Sequence, residues 1–190
     1  MRVSSTARSY FEKMYAESDD PWQFATSEYE QRKYALTMAS LPRERYYSAF
    51  EPGCSIGVLS ELLAQRCQRL LATDLVSGAL ATASERLKGY HDVRVEERAI
   101  PEQWPEEAFD LIVLSEVAYY FDEAALLEIM NHVVRSTVPG AHLVAVHWRG
   151  ETDYSLTGDQ AHELIARTET LQRVVHHEEE QFLLDVWERV

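Results

Sequence analysis

The sequence predicts an α/β fold, in which a mostly parallel sheet of seven strands carries helices on both faces and ends in an antiparallel hairpin. Short apolar runs alternate with helix-periodic segments from about residue 46 to residue 168, as strands joined by crossover helices do. The run 109–114 is nearly all apolar, which is typical of a strand buried on both faces. Two strand-like segments, 170–177 and 181–189, then follow each other directly and predict the hairpin.

The remaining elements follow from periodicity and from breaker residues. Pro21 separates the first two helices, and Pro42 ends the second. Ser77 and Asp122 are predicted N-caps, and Pro139-Gly140 predicts a turn. In chain order, the predicted elements before the hairpin are helices over 6–17 and 29–41, a strand over 47–51, a helix over 58–66, a strand over 69–74, a helix over 77–87, strands over 92–96 and 109–114, a helix from 122 to 134, a strand over 141–147 and a helix over 158–168.

Length and composition predict one domain spanning residues 1–190, with residues 1–45 as a helical cap and residues 46–190 as the core. No apolar run reaches the ~20 residues of a membrane helix. Residues 1–5 do not open a signal peptide, so we expect a cytoplasmic protein. The only two cysteines, Cys54 and Cys67, are predicted to be free thiols.

The charge of the chain is strongly acidic. It has 18 Lys and Arg against 32 Asp and Glu, a net of −14. Binding to nucleic acid or to an anionic membrane requires a basic face, so neither partner is expected. Residues 101–130 hold eight acidic side chains and no basic ones. Such a stretch is either a solvated face or the source of a negative field around a site that handles cations.

A glycine-containing loop follows the first predicted strand. It reads Glu51-Pro52-Gly53-Cys54-Ser55-Ile56-Gly57 and stands directly before a helix. Gly53 allows a tight turn, and Gly57 allows the helix to pack close to the strand. Asp74 ends the second strand, 17 residues beyond Gly57, a spacing that suits a carboxylate accepting hydrogen bonds from ribose hydroxyls.

The same arrangement is compatible with NAD, but the dinucleotide pattern G-x-G-x-x-G is absent. Pyrophosphate needs several open backbone amides at the start of the helix. A positively charged adenosyl ligand has no phosphate to bind and would be favoured by Glu51. A purely structural glycine turn is the remaining alternative.

These features resemble the Rossmann-like S-adenosylmethionine-dependent methyltransferases over about residues 45–190. Many members of that family have a glycine where Ser55 stands. A narrower set of motifs is similar to the nodulation protein S group, which resembles an N-methyltransferase acting on the free amine of a glucosamine residue in a chitooligosaccharide. The motifs are Asp20-Pro21-Trp22, Tyr29-Glu30-x-x-Lys33-Tyr34, the loop 51–59, Leu114-Ser115-Glu116-Val117-x-Tyr119-Tyr120, His147-Trp148-Arg149-Gly150 and Leu156-Thr157-Gly158-Asp159.

The resemblance implies S-adenosyl-L-methionine as cofactor and assigns residues to it. Asp74 would hold the ribose, Leu75 would pack beside the adenine, and Ala99 would contribute a backbone contact because Ile100 replaces a common Asp. Ser115 would lie beside the methionine part. The implied cofactor residues are Glu51, Gly53, Cys54, Ser55, Gly57, Asp74, Leu75, Ala99 and Ser115.

Methyl transfer to nitrogen requires a neutral amine, so a base is expected when the acceptor binds as an ammonium. Glu116 and His147, each at the end of a strand, are the predicted catalytic residues. A structural or cofactor contact is the alternative for Glu116, and a hydrogen-bonded strand-end histidine is the alternative for His147.

The acceptor is expected to be a small molecule, with an amino sugar preferred. Tyr119 and Tyr120 would form an aromatic wall near the sulfonium, and Trp148 and Arg149 would recognise the sugar. Trp22 and Tyr29 would cover the cofactor, and Asp153 and Tyr154 also lie on the loop that suits sugar recognition. No metal site is expected, since the adjacent His176 and His177 would point to opposite faces of a strand. The oligomeric state stays open, as do O- or C-methylation, a catalytically silent adenosyl-binding module and an NAD-dependent oxidoreductase.

Overall fold

The computed structural model describes residues 5–190, with side chains from Arg8 onward. Residues 1–4 of the predicted cap lie outside this range. The prediction that residues 1–5 do not open a signal peptide therefore rests mostly on residues that are not described. The helices and strands are α1 (Ser5–Glu17), α2 (Glu28–Ser40), β1 (Tyr46–Pro52), α3 (Val58–Ala64), β2 (Cys67–Asp74), α4 (Ser77–Leu87), β3 (Val93–Glu97), β4 (Phe109–Ser115), the 3₁₀ turn η1 (Ala118–Tyr120), α5 (Glu123–Ser136), β5 (Thr137–Trp148), α6 (Gly158–Ala166), β6 (Leu171–Glu178) and β7 (Phe182–Arg189).

The strands form one seven-stranded sheet in the order β3-β2-β1-β4-β5-β7-β6. Strands β1 to β5 run parallel, and β7 pairs antiparallel with both β5 and β6. The predicted fold class is therefore confirmed, including the terminal hairpin. The strand order reverses between β1 and β4, and ligands of open α/β sheets bind outside the carboxyl ends of the strands at such a point.

Two apolar cores lie on opposite faces of the sheet. Alternate residues of β4 separate between them: Ile112 and Leu114 pack in one core, and Leu111 and Val113 pack in the other. This separation follows from the two-residue period of a strand. It explains why Leu111 to Leu114 of β4 are all apolar and why β4 lies near the middle of the sheet.

The starts of α4 and α5 agree only in part with the predicted N-caps. Asp122 caps α5, since its side chain accepts a hydrogen bond from the Ala125 amide at 3.0 Å. The N-cap prediction for Ser77 is wrong, because the cap position is Val76 and Ser77 is the first helical residue. Cys54 and Cys67 are both buried and free, as predicted.

The predicted turn at Pro139-Gly140 is also wrong, because both residues lie inside β5. Phe109 pairs with Thr137 and Leu111 pairs with His142, so β5 uses three more residues than β4 to pass this point. The irregularity takes up the proline and the left-handed φ of Gly140, +84°.

The cap begins with α1 and α2, and the core begins with β1 at Tyr46. The division into a cap over 1–45 and a core over 46–190 stays a prediction. Within residues 5–190, no helix has both the length and the apolar composition that a bilayer span would require.

Candidate active site

A cavity of about 400 Å³ lies where the carboxyl ends of β1 and β4 meet the cap. The core contributes the loop after β1, the end of β2 and the segment after β4, and the cap contributes one wall. The lining residues include Phe11, Tyr15, Trp22, Phe24, Tyr29, Glu30, Lys33 and Tyr34 from the cap, and Glu51, Gly53, Cys54, Ser55, Ile56, Asp74, Leu75, Ser115, Glu116, Val117, Tyr119, Tyr120, Trp148 and Tyr154 from the core.

The loop after β1 depends on glycine at two positions. Gly53 has φ +75°, and an added Cβ would lie 3.0 Å from Val117 Cγ2. Gly57 has φ +78°, and its Cβ would lie 3.1 Å from the Cβ of Ala83 in α4. Gly53 lines the cavity, whereas Gly57 does not. The role of Gly57 is therefore to let the start of α3 approach α4, not the strand as predicted.

Asp74 holds this loop in place. Its Oδ2 accepts the Ser55 amide at 2.9 Å, and its Oδ1 accepts the amides of Leu75 at 2.7 Å and Val76 at 3.0 Å. Burial raises the pKa of Asp74, and the three amides partly offset that rise. A carboxylate offers about four lone-pair directions, so one direction on Oδ2 is left for a ligand hydroxyl.

Glu51 is a second buried carboxyl group in the cavity wall. It is 2% exposed, and its Oε2 accepts a hydrogen bond from the Ser60 hydroxyl at 2.5 Å. Burial raises the pKa of Glu51 to about 8, against the lowering effect of the Ser60 hydrogen bond. The group is therefore largely protonated near neutral pH and would ionise readily beside a cation.

Glu116 forms the polar centre of the cavity. Its backbone has a left-handed φ of +54°, a conformation that costs a non-glycine residue about 1–3 kcal/mol and is concentrated at functional sites. Its Oε1 accepts the ammonium of Lys33 at 2.5 Å, and its Oε2 accepts the Tyr119 hydroxyl at 2.6 Å and the Trp148 amide at 3.0 Å. These contacts fix the carboxylate of Glu116 toward the cavity.

Lys33 and Glu30 were not among the predicted site residues. Lys33 is 1% exposed and also donates to Glu30 Oε1 at 3.0 Å. Burial lowers the pKa of Lys33, but Glu116 and Glu30 raise it more, so the ammonium form is retained. The sequence does carry a signal for this pair. The buried residues of α2 are Glu30, Lys33, Tyr34 and Thr37, a polar stripe at i, i+3, i+4 and i+7.

Aromatic side chains close the cavity on the cap side and at the end formed by Tyr119, Tyr120 and Tyr154, which we call the acceptor end. The Tyr15 hydroxyl lies 2.5 Å from Ser55 Oγ and ties α1 to the loop after β1. Trp22 packs against the ring of Tyr15, with centroids 5.5 Å apart. Tyr154 stacks on Tyr119 with centroids 5.1 Å apart. Trp22 and Tyr29 line the cavity, and their covering of the cofactor stays a prediction.

Apart from the covering residues Trp22 and Tyr29 and the loop residues Asp153 and Tyr154, the sequence predicts fifteen site residues. Eleven of these line the cavity, and four do not. The residues that line it are Glu51, Gly53, Cys54, Ser55, Asp74, Leu75, Ser115, Glu116, Tyr119, Tyr120 and Trp148. Those that do not are Gly57, Ala99, His147 and Arg149. The Ala99 amide instead donates to Gln103 Oε1 at 2.7 Å, so it is already satisfied locally.

His147 lies beneath the cavity and not at its surface, which corrects its prediction as a base. It is 0% exposed. Its Nε2 accepts the Ala118 amide at 3.0 Å, and its Nδ1 lies 3.0 Å from His162 Nε2. Burial lowers the pKa of His147 well below its usual value, and His162 and Lys33 add to the effect. Both ring nitrogens are occupied, so this side chain cannot meet an acceptor directly.

Arg149 is likewise engaged in structural contacts, which corrects its prediction as a sugar-binding residue. Its guanidinium makes a bidentate pair with Asp159, at 3.0 and 2.8 Å. It also donates to Glu178 Oε1 at 2.9 Å and to the carbonyl of Glu179 at 2.8 Å. These bonds join the loop after β5 to the β6–β7 turn.

The acidic stretch 101–130 does not surround the cavity. Of its eight acids only Glu116 is among the lining residues. Asp110, for example, accepts the amides of Tyr47 and Ser48 at 2.9 and 2.8 Å. The cavity wall holds four carboxyl groups and one ammonium, which are brought there by separate elements: Glu30, Glu51, Asp74, Glu116 and Lys33.

The lining groups fit S-adenosylmethionine. An excess of carboxyl groups favours a cationic ligand, Asp74 keeps an acceptor direction for a ribose hydroxyl, and the aromatic cover suits a sulfonium. The seven-stranded sheet, the glycine loop after β1 and the acid ending β2 together define a member of the Rossmann-like S-adenosylmethionine-dependent methyltransferases.

Residues 5–151 match the family model of nodulation protein S. The chain belongs to this family, as its motifs indicated. The nodulation protein S of Rhizobium tropici is 33% identical over 129 residues, which are 67% of this chain and 54% of that protein. That of Sinorhizobium fredii NGR234 is 30% identical over 129 residues, which are 67% of this chain and 60% of that protein. The matched region thus spans little more than half of each relative's length.

Two solved structures are also similar to the chain. The N-methyltransferase nodulation protein S of Bradyrhizobium japonicum WM9, in complex with S-adenosyl-L-homocysteine, has a TM-score of 0.85 at 26% identity and covers 96% of this chain and 97% of its own. A Pseudomonas syringae protein, described provisionally as a methyltransferase, has a TM-score of 0.78 at 41% identity and covers 86% of this chain and all of its own.

Proposed function

We propose that this protein transfers a methyl group from S-adenosylmethionine to the nitrogen of a small amine, with an amino sugar as the preferred acceptor. The observation that carries the proposal is the Glu116 carboxylate, held in a strained backbone conformation at the wall of a cavity lined by ten aromatic side chains. The similar Bradyrhizobium protein is an N-methyltransferase, which supports the same reaction class.

The cofactor would be held by the loop after β1 and by the end of β2. Asp74 would accept a ribose hydroxyl, and Leu75 would pack against the adenine. Glu51 would lose its proton and its carboxylate would face the cationic part of the ligand. The apolar surroundings would strengthen the attraction between these two charges. When bound, S-adenosylmethionine supplies a methyl group that is already activated by its sulfonium sulfur.

Glu116 would bind and neutralise the acceptor amine. An ammonium acceptor must lose a proton before its lone pair can attack, and a fixed carboxylate at the cavity wall is a suitable proton acceptor. Lys33 and Tyr119 hold the two carboxylate oxygens, so the amine would compete with these donors for Glu116. Alignment of the amine by these groups would supply much of the rate enhancement.

Aromatic side chains would hold the body of the acceptor. Tyr119, Tyr120 and Tyr154 form a connected cluster. Trp148 is 39% exposed and also lines the cavity, so it lies where the cavity meets solvent. Aromatic faces of this kind pack well against the C–H faces of a pyranose ring. Arg149 is not part of this proposal.

A labelled-methyl screen tests the proposal. Glucosamine, deacetylated chitooligosaccharides, small amines and catechol-type hydroxyl acceptors would be offered with methyl-labelled cofactor. We expect label on amine nitrogen. Label on oxygen or carbon, or on no acceptor despite tight cofactor binding, would overturn it.

Two matched variants refine the screen. Glu116→Gln keeps the size of the side chain but removes its charge, so turnover should fall by about 10²-fold or more while S-adenosylhomocysteine binding is retained. Glu106→Gln changes an exposed acid of the same region and should leave turnover unchanged. Equal turnover in the two variants would remove Glu116 from the reaction.

A further inference from the structure

A chain of three buried side chains lies beneath the acceptor end of the cavity. His147 Nε2 accepts the Ala118 amide at 3.0 Å, and His147 Nδ1 lies 3.0 Å from His162 Nε2. His162 Nδ1 lies 2.7 Å from Asp185 Oδ2. The three side chains come from β5, α6 and β7 and are 0%, 3% and 1% exposed. None of them lines the cavity.

The hydrogen bonds determine where each proton sits. A backbone amide can only donate, so His147 Nε2 carries no proton and its proton is on Nδ1. His147 Nδ1 therefore donates to His162 Nε2, and the proton of His162 is on Nδ1. That nitrogen donates to Asp185, an acceptor. No other assignment leaves every buried polar group paired.

Asp185 is held as an anion at the far end of this chain. Its Oδ1 lies 2.7 Å from His176 Nδ1 and 3.5 Å from Arg173 Nη1. Burial raises the pKa of Asp185, but the hydrogen bonds from His162 and His176 lower it more, and the net shift is downward. The carboxylate is thus the fixed acceptor that orients both histidines.

The near end of the chain supports the acceptor wall. Ala118 is the first residue of η1, and the next residue, Tyr119, donates its hydroxyl to Glu116 Oε2 at 2.6 Å. Tyr120 completes η1 and lines the cavity. A weaker bond at the Ala118 amide would therefore let Tyr119 and Tyr120 move away from Glu116.

We infer that Asp185, His162 and His147 are positioning residues that fix the proton of His147 on Nδ1, so that its free Nε2 holds η1 and keeps Tyr119 against Glu116. The role in turnover rests on the proposed function, whereas the proton positions do not. None of the three side chains is hydrogen-bonded to Asp74 or to the loop after β1, so cofactor binding is expected to change much less than turnover.

Nitrogen-15 NMR of histidine-labelled protein tests the proton positions without an acceptor. Protonated and unprotonated ring nitrogens give separate signals, so the tautomer can be read directly. We expect the Nδ1–H form for both His147 and His162 in the wild-type protein. An Nε2–H form at His147 would overturn the inference, whether or not any variant folds.

Asp185→Asn tests the consequence for the site. Arg173 can only donate, so the Asn carbonyl should turn toward it and the amide should face His162 Nδ1. That arrangement would reverse both tautomers and place two donors together at Ala118. We expect faster exchange of the Ala118 amide, a fall in kcat of about 10- to 100-fold, and a Kd for S-adenosylhomocysteine within about twofold of the wild type.

His142→Gln is the matched control, since His142 is another buried histidine of β5. Its Nδ1 lies 3.0 Å from the Tyr46 hydroxyl and its Nε2 lies 3.5 Å from Glu188 Oε2. It should leave Ala118 exchange and kcat unchanged. His162→Gln interrupts the chain of three side chains at a second residue. If Asp185→Asn does not fold, His162→Gln should show the effects expected of Asp185→Asn. If Asp185→Asn or His162→Gln folds and leaves both the exchange of the Ala118 amide and kcat unchanged, the inference is overturned. Failure of the acceptor screen would overturn the proposed function alone, because the spectra and exchange rates need no acceptor.

Discussion

At the scale of single residues, Glu51 and Glu116 show how position changes the chemistry of one residue type. Burial raises the pKa of Glu51 to about 8, whereas Glu116 accepts hydrogen bonds from three donors, including the ammonium of Lys33. The Glu51 carboxyl group is therefore held in its protonated form, whereas Glu116 is held as a hydrogen-bond acceptor. Both stand directly at strand ends, where the sequence predicted functional residues.

The raised pKa of Glu51 predicts that cofactor binding depends on pH. A cation favours the ionised carboxyl group, so binding below about pH 8 must release a proton from Glu51. Affinity should therefore rise as pH increases from 6 to 8. Calorimetry in buffers of different ionisation enthalpy would measure the proton release.

Glu51→Gln is the reference for this measurement, because titration of the ligand itself is common to both proteins. The pH dependence of binding should be smaller in the variant.

For the stability of the protein without ligand, the sign of the pH dependence is opposite. The unfolded chain ionises Glu51 near its ordinary pKa of 4.5, so wild-type stability relative to Glu51→Gln should fall as pH rises from there to about 8. Parallel pH profiles for the two proteins would contradict the buried-acid assignment.

At the scale of elements, Gly57 allows the start of α3 to pack closely against α4. Its φ of +78° is left-handed, and an added Cβ would lie 3.1 Å from Ala83 Cβ and 3.2 Å from Ala83 Cα. Gly57→Ala should lower the free energy of unfolding by at least the ~1–2 kcal/mol of a left-handed non-glycine residue. Gly89→Ala is the control, since nothing lies within 4 Å of its added Cβ. Urea unfolding should separate the two variants, and equal midpoints would show that the contact is not tight.

Helix α2 docks through charge as well as through apolar contact. Lys33 is buried between Glu30 and Glu116, so Lys33→Met would leave the buried carboxyl group of Glu30 and the partly buried one of Glu116 without their cation. We expect a loss of about 3–5 kcal/mol in the free energy of unfolding. Lys13→Met, on the exposed face of α1 with a side chain 76% exposed, should change it by under about 0.5 kcal/mol. Thermal and urea unfolding measure both, and similar losses would argue against the buried cluster.

At the scale of the whole molecule, the chain carries a net charge of −14, and its cavity wall also has an excess of acidic groups. Four carboxyl groups and one ammonium line the cavity, although the base-free stretch 101–130 contributes only Glu116. The local excess of acid therefore arises from convergence of separate elements and not from a run of acidic sequence.

This convergence predicts a difference between cofactor and product. S-adenosylmethionine carries one more positive charge than S-adenosylhomocysteine, so added salt should weaken binding of the cofactor more than binding of the product. The comparison cancels salt effects on folding and on shared contacts. Titrations from low to physiological salt, where the Debye length reaches about 8 Å, would measure both slopes. Equal slopes would contradict a role for the cavity charge in cofactor binding.

The sequence by itself determined the architecture and the position of the Gly53 loop and Asp74 at the cavity. Alternation of strand and helix patterns, the Gly53 loop and Asp74 at a strand end are local signals, because backbone sterics and burial of one face act over a few neighbouring residues. Glu116 was found in the same way, from its place after the most apolar strand.

Only the tertiary structure decided which polar side chains meet. Lys33 reaches Glu116 from 83 residues away, and His147 is turned beneath the cavity toward His162 and, through it, Asp185. Strand position predicts the end of the sheet at which a side chain lies, but not whether packing from distant elements leaves it exposed to the cavity. The burial of His147, the structural pairing of Arg149 and the placement of Lys33 therefore depended on long-range contacts that local patterns do not encode.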